Sequence, residues 1–166
     1  SGAAPTAVTG DNNWAIYRAY TSLASWESQA ENANITEPVE NDVNPSPNLV
    51  ASNTTMHVAC YGDGADTTAV TVFGWTTGIS NYIRIYTPYA ASEVGTSQRH
   101  SGTWNATTAY RLEAALGANG SILWLRTNYV RVDGLQLRLL NDVFYPAVIF
   151  MNGASGVSSY EVSNNI

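Results

Sequence analysis

A near-repeat of five residues constrains the fold of this chain more than any other feature. The two copies are residues 81–85 (Asn-Tyr-Ile-Arg-Ile) and residues 128–132 (Asn-Tyr-Val-Arg-Val), which lie 47 residues apart. Within each copy apolar side chains alternate with a charged one, as in a strand that has one buried and one solvated face. A half-buried strand that recurs in this way is typical of a solenoid, in which the same unit stacks on itself.

The composition favours β-structure and excludes several classes of partner. Charged residues make up only 12% of the 166 residues, and Ser, Thr, Asn and Gly supply the polarity instead, which suits strands and turns better than exposed helices. The net charge is −6 and all seven basic residues are arginine, so no basic stripe is present for a nucleic acid. No apolar run is long enough for membrane insertion.

The first third of the chain is predicted to contain one helix and two irregular segments. Residues 1–13 are small and polar and indicate a flexible N-terminal arm, followed by an aromatic-rich first strand at 14–20. Thr21-Ser22 is an N-cap signal for a short helix through about Ala30, with Leu23, Trp26 and Ala30 on one face. We expect this helix to cover one end of a stack of coils. Residues 31–55, rich in Asn and Pro, indicate a long surface loop.

From Met56 onward the pattern predicts closely spaced strands, separated by glycines, with no second helix. The predicted strands lie near 56–61, 69–73, 81–86, 109–114, 121–126, 128–133, 135–140, 147–151 and 157–163. The absence of alternating helices excludes a doubly wound α/β fold. Cys60, the only cysteine, ends the first of these strands and is predicted to be a small buried side chain.

A change of phase at Asp133-Gly134 indicates a sharp corner between two strands. Before it, Val130 and Val132 occupy the predicted buried face; after it, the buried face passes to the leucines at 135, 137 and 139, with Gln136 and Arg138 outside. Glycine permits the backbone angles that such a corner requires. Two strands joined by a corner form a rung of a β-helix, although a bulged strand of an antiparallel β-sandwich would give the same pattern.

Several stretches resemble bacterial right-handed parallel β-helix proteins of the pectate-lyase-like group. They are residues 20–27 (Tyr-Thr-Ser-Leu-Ala-Ser-Trp-Glu), like the N-terminal cap, residues 99–102 (Arg-His-Ser-Gly), in a connecting segment, residues 129–135 (Tyr-Val-Arg-Val-Asp-Gly-Leu), like a rung, and residues 157–165, ending Val-Ser-Asn-Asn. The resemblance covers most of residues 14–166. It implies an all-β fold, a right-handed parallel β-helix with a short capping helix, as one domain; the alternative is an antiparallel β-sandwich.

The chain is shorter than typical members of that group. It ends at Ile166, just after an outward-going predicted strand. We therefore expect stacked Val, Ile and Leu side chains and unpaired strand edges to be exposed there, unless further chain or another subunit covers them.

The candidate chemical groups are few and scattered. Asp63 and Asp66 lie in a Gly-rich turn, where two short carboxylates could contribute to a calcium site or merely form the turn. Arg84, Arg131 and Asp133 share a face if the two repeat copies stack, and would form either a lyase-like cluster or an ion-pair ladder. The other acidic candidates are Glu93, Glu113 and Asp142.

No motif supports a catalytic, metal or cofactor site. The two histidines, His57 and His100, lack the spacing of zinc ligands, and no nucleophile elbow, phosphate loop or dinucleotide fingerprint occurs. We assign no catalytic residue, no metal ligand and no cofactor. Among the five tryptophans, Trp75 and Trp104 lie in turn-like contexts and are the best candidates for stacking on a sugar.

These observations favour a non-catalytic structural β-helix subunit or module of an extracellular or virion-surface assembly, such as a filament, fibre, surface layer or capsid decoration. The expected partners are other copies or neighbouring subunits. The alternatives are a fragment of a polysaccharide lyase or hydrolase, or a carbohydrate-binding module with a glycan as ligand.

Overall fold

Ten strands and three short helices make up the part of the chain that the computed structural model describes, residues 17–35, 47–153 and 159–166. The helices are α1 Leu23–Glu27, α2 Leu49–Ser52 and α3 Ala91–Val94. The strands are β1 Met56–Ala59, β2 Ala65–Asp66, β3 Val70–Val72, β4 Ile83–Tyr86, β5 Arg111–Ala114, β6 Ser121–Leu125, β7 Val130–Asp133, β8 Gln136–Leu139, β9 Ala147–Met151 and β10 Tyr160–Ser163. None of these helices is long and apolar enough to cross a membrane.

The strands form three parallel sheets. Sheet 1 has the order β1-β4-β7-β10, sheet 2 the order β2-β5-β8 and sheet 3 the order β3-β6-β9. Neighbours in each sheet are three strands apart in the chain, so the chain visits the three sheets in turn before it returns to the first. The prediction of a strand-rich fold is confirmed. The antiparallel β-sandwich alternative is wrong, because every pair of named strands in the described residues runs parallel.

The two copies of the repeat are direct neighbours in sheet 1. β4 and β7 pair in a register that places Ile83 beside Val130, Arg84 beside Arg131 and Ile85 beside Val132. The prediction that the copies stack is confirmed. Because side chains alternate across a strand, the stacking forms apolar rows on the inner face and a charged row on the outer face.

The core consists of such inner rows from all three sheets. Sheet 2 stacks Leu112 on Leu137, and sheet 3 stacks Val72, Leu125 and Met151. The members in the middle of the stack are fully buried, and each buried Leu, Ile or Val contributes roughly 1.5–3 kcal/mol to the free energy of folding. Cys60 is also buried, as predicted, and this burial raises the pKa of its thiol.

The corner predicted at Asp133-Gly134 is confirmed. β7 belongs to sheet 1 and β8 to sheet 2, and Gly134 between them has φ of 83°. The prediction that Gln136 faces solvent was wrong, because its side chain is 0% exposed. Its amide accepts a hydrogen bond from the backbone N–H of Asn105 (2.6 Å) and donates to the carbonyls of Asn105 (2.8 Å) and Tyr110 (3.1 Å). These bonds compensate for the loss of water.

Helix α1 begins where the sequence predicts. Ser22 and Ser25 form a reciprocal capping box, with both side-chain-to-backbone distances at 2.9 Å. Leu23 and Trp26 are buried against β3 and Trp75, whereas Ala30 lies beyond the helix and is exposed. The helix ends at Glu27, earlier than predicted.

Several other elements differ from the prediction. The proposed strand at 14–20 is absent from its described part, residues 17–20, and positions 14–16 lie outside the described residues. Helices α2 and α3 were not predicted because each has four residues, too few for an amphipathic period. The two-residue strand β2 was missed for the same reason. Residues 1–13 and part of the predicted loop, 36–46, also lie outside the described residues.

We predict that Gly134→Ala destabilises the fold by roughly 2–4 kcal/mol, because an added Cβ would meet the Arg99 side chain and Thr87 Oγ1 as well as the strain of a positive φ. Gly74 has a similar φ of 86° and no atom within 4 Å of an added Cβ. Gly74→Ala is therefore the control and should cost only about 1–2 kcal/mol. Urea unfolding measures the loss of stability in both variants. Equal losses would contradict the role assigned to Gly134 at the corner.

Candidate functional site

The outer face of sheet 1 carries a row of charged and aromatic side chains. The parallel register aligns His57, Arg84, Arg131 and Glu161 across β1, β4, β7 and β10. The prediction that Arg84 and Arg131 share a face is confirmed. Asp133 lies on the same face, two positions along the strand from Arg131.

Asp133 is the centre of the polar contacts on this face. Its Oδ2 accepts from Arg99 Nη2 at 2.5 Å and from Arg84 Nη2 at 3.3 Å, and its Oδ1 accepts from Ser163 Oγ at 3.0 Å and Asn164 Nδ2 at 2.8 Å. Partial burial alone would raise the pKa of Asp133, but the hydrogen bonds from Asn164, Arg99 and Ser163 and the charge of Arg99 lower it to about 2. The carboxylate is therefore ionised and saturated with donors.

Arg99 ties the segment after α3 to the corner of the fold. Its Nε donates to Thr87 Oγ1 at 3.2 Å, while Thr87 Oγ1 donates to the carbonyl of Gly134 at 2.8 Å. The guanidinium also lies over the Tyr89 ring at 4.5 Å. Because Gly134 has no side chain, Arg99 can approach the backbone closely enough to reach Asp133.

The other arginines of the row are held by aromatic rings and a carboxylate. Arg131 lies 3.6 Å above the Tyr82 ring centroid and pairs with Glu161 at 3.3 Å. Arg84 lies 4.2 Å above the Tyr86 ring. Partial burial, and then the charges of Arg84 and Arg131, lower the pKa of His57 and so favour the neutral imidazole.

Sheet 2 carries a second, separate ion-pair ladder. Glu113 lies between Arg111 (2.9 Å) and Arg138 (2.6 Å), and its side chain is largely buried. The charged groups are thus divided between two sheets. In residues 17–35, 47–153 and 159–166, no three His, Cys, Asp or Glu side chains are grouped so that they could hold a metal ion.

The two carboxylates of the Gly-rich turn have different partners. Asp66 is buried and accepts from the backbone N–H of Leu23 (2.8 Å), from Tyr110 Oη (3.0 Å) and from the N–H of Thr68 (3.2 Å). It therefore anchors the start of α1. Asp63 pairs with Arg18, whose guanidinium lowers the pKa of that carboxyl. The calcium interpretation gains no support, because the two carboxylates bind protein groups in different places.

A cavity of about 960 Å³ lies beside the first strand of sheet 1. The side chains around it include His57, Tyr61, Tyr110 and the Arg18–Asp63 pair. Arg18 also lies 3.7 Å above the Tyr61 ring. Of these polar groups, Arg18, Asp63 and Tyr61 contact one another, and Tyr110 donates to Asp66.

The predicted sugar platforms are half-buried. Trp75 stacks on Trp26 with 5.5 Å between centroids, and its Nε1 donates to Glu27 at 3.2 Å. Burial raises the pKa of Glu27 despite hydrogen bonds from Phe73 and Trp75 that lower it. Trp104 lies under the guanidinium of Arg138 at 4.7 Å. Neither indole presents a fully open face.

Interior side chains are less buried on the last strand of each sheet than one turn earlier: Met151 and Val162 are exposed, and Leu139, Ile149 and Tyr160 are half-buried. Leu139, Ile149, Met151, Tyr160 and Val162 form a surface that we call the last-turn face. Their neighbours one turn earlier are buried: Ala114, Leu123, Leu125, Val130 and Val132. The change is large, since Val132 is 0% exposed and Val162 44%, and Leu125 is 0% exposed and Met151 48%. The predicted exposure of stacked apolar side chains near residue 166 is confirmed.

More exposed apolar groups lie in the same part of the chain. Besides Met151 and Val162, they are Leu140, Phe144, Tyr145, Val148, Phe150 and Ile166. Phe144 and Tyr145 contact each other edge to face at 4.2 Å. We call the exposed pair of Phe144 and Tyr145 the apolar rim. Its exposure was not predicted, because residues 140–146 lack the alternation of apolar and polar side chains that marks a strand and resemble an ordinary turn.

The comparisons with known proteins gave no match: no family model, curated protein or solved structure was similar to this chain. The functional argument therefore rests on the geometry of its own residues.

We predict that the carboxylate of Asp133 contributes about 2 kcal/mol to stability near pH 7. Its folded pKa of about 2 lies below the unfolded value, so this contribution is present above about pH 4–5 and is lost as the pH falls towards 2. Asp133→Asn should therefore be destabilised near pH 7 and approach the parent protein at pH 2–3. Asp142→Asn, in an exposed turn, is the control. Urea unfolding from pH 2 to pH 7 measures the stability of each protein. If the stabilities of Asp133→Asn and the parent protein do not converge at low pH, the stabilising role of the Asp133 carboxylate is contradicted.

Proposed function

We propose that this chain is a right-handed parallel β-helix that serves as a non-catalytic structural module of an assembly outside the cell or on a virion surface. The order in which the chain visits the three parallel sheets supports the β-helix. Right-handed crossover is the strong preference for parallel strands joined through a connection. The resemblance of residues 20–27, 99–102, 129–135 and 157–165 to pectate-lyase-like β-helix proteins supports the same architecture, and the proposed location rests on that resemblance.

The exposed apolar surface at the last turn carries the proposal of an assembly role. Soluble monomers rarely expose a contiguous apolar patch of interior side chains, and such patches commonly mark protein–protein contacts. Here the exposed groups are the continuation of buried core rows. Covering them would extend the same packing by one more layer.

The state of the charged groups supports a non-catalytic role. Asp133, Glu113 and Glu161 each contact arginine, and Asp133 has four donors. A carboxylate that acts as a general acid or base requires an available lone pair and a pKa near the working pH. Asp133, with a pKa of about 2, is suited to hold the corner and the last turn together.

We predict that the 166-residue chain self-associates and that Val162→Asp weakens this association at least tenfold, since a charge would be desolvated in an apolar contact. Val50→Asp is a matched control, because Val50 is 47% exposed on α2 and Val162 is 44% exposed on β10. Sedimentation equilibrium over a range of concentrations measures the molar mass. Circular dichroism and urea unfolding establish that both variants are folded. A parent chain that stays monomeric at every concentration would overturn the assembly proposal, and an unchanged association of Val162→Asp would exclude the last-turn face as the contact.

We also predict that incubation with acidic and neutral polysaccharides releases no new reducing ends. Arg131→Ala should leave this baseline unchanged, because Arg131 is already paired with Glu161 and Tyr82. Turnover that is lost in Arg131→Ala and kept in Arg126→Ala, a matched variant on sheet 3's side of the molecule, would establish the lyase or hydrolase alternative instead.

A further inference from the structure

We infer that the last-turn face binds the same face of a second copy of this chain, giving a closed two-fold dimer and not a head-to-tail fibre. This inference rests on the proposed function, since it names the partner for the apolar surface that supports the assembly role. Two features of the molecule favour it, the difference between its two ends and the low charge of the last turn, and the free edges of the last strands allow it.

The two ends of the stack differ in how they are covered. At the first turn of sheet 3, Val70 and Val72 are buried because Leu23 and Trp26 of α1 pack beside β3. At the last turn of the same sheet, Met151 occupies the row of Val72 and is exposed. A head-to-tail contact would have to bring the last-turn face against a helix that already covers the first turn of sheet 3. Another last-turn face is apolar and equally uncovered, so it is the better match.

The last turn carries almost no charge. Residues 140–166 contain two acidic side chains, Asp142 and Glu161, and no Arg or Lys, and Glu161 already pairs with Arg131 at 3.3 Å. Two copies can therefore approach through this end with little repulsion, although each chain has a net charge of −6. Depletion of charge at the centre of a contact is typical of interfaces between identical subunits.

The main chain of the last strands allows the same arrangement. β9 and β10 each pair with one neighbour in the described part of the chain, as β1 and β3 do at the other end, so one edge of each is unpaired with another named strand. A two-fold axis perpendicular to sheet 1 would place β10 antiparallel to β10 of the second copy, a pairing that main-chain hydrogen bonds support. Both copies use the same surface in this contact, so two copies occupy it completely and no third copy can be added.

Spin labels at the two ends distinguish this dimer from a fibre. We would replace Cys60 with Ala and label either Asn152→Cys, at the end of β9, or Ala51→Cys, on α2; both positions are exposed. In the two-fold dimer, labels at 152 lie much closer together than labels at 51. The difference is on the order of 30 Å, since sheet 1 has four strands spaced by ~4.8 Å in each copy. In a head-to-tail fibre the two label pairs have about the same separation.

Pulsed dipolar spectroscopy and sedimentation equilibrium on the same labelled samples give separable outcomes. A mass of two chains with the short distance at residue 152 is the expected result, and Val162→Asp should abolish that distance while Val50→Asp keeps it. Association with similar distances at both positions, or masses that grow beyond two chains, would overturn the two-fold inference but leave the assembly role. A monomer without dipolar coupling would overturn both.

Discussion

The stacking of inner apolar rows between parallel strands is the interaction on which the rest of this structure depends. Ile83 on Val130 and Ile85 on Val132 bring two copies of one short sequence into register. The outer charged row, with Arg84 beside Arg131, follows because alternate side chains must point the other way. A shift of one residue would exchange the core for the charged face, so the apolar rows fix the register strongly.

The same interaction links the corner, the ion pairs and the exposed end. Gly134 lets the chain turn from sheet 1 into sheet 2, and Arg99 uses the space left by the missing side chain to reach Asp133. Asp133 in turn accepts from Ser163 and Asn164, which ties the last strand of sheet 1 to the turn before it. The polar contacts therefore stabilise the stack, while Met151 and Val162 of its interior rows remain exposed at its end. That combination is the basis of the proposed assembly role.

The sequence predicts the periodic parts of this molecule and misses the parts without a period. The repeat predicted the stacking of β4 on β7, and the phase change at residue 134 predicted a corner. Gln136 was misplaced, because the alternation along a strand does not reveal that the 105–110 segment folds over its outer face. The partners of Asp133 come from residues 84, 99, 163 and 164, and nothing local in the sequence links Arg99 to them. The apolar rim at Phe144 and Tyr145 was missed because a turn has no pattern from which exposure can be inferred.

Nuclear Overhauser contacts between strands test the central claim most directly. Parallel in-register pairing of β4 with β7 and of β7 with β10 predicts contacts between the Hα of one strand and the amide proton of the next, for example between the Ile83–Ile85 and Val130–Val132 segments. It also predicts no strong Hα–Hα contacts between these strands. Strong Hα–Hα contacts, which are characteristic of antiparallel neighbours, would contradict the stacked rows and with them the account of the corner, the ion pairs and the last-turn face.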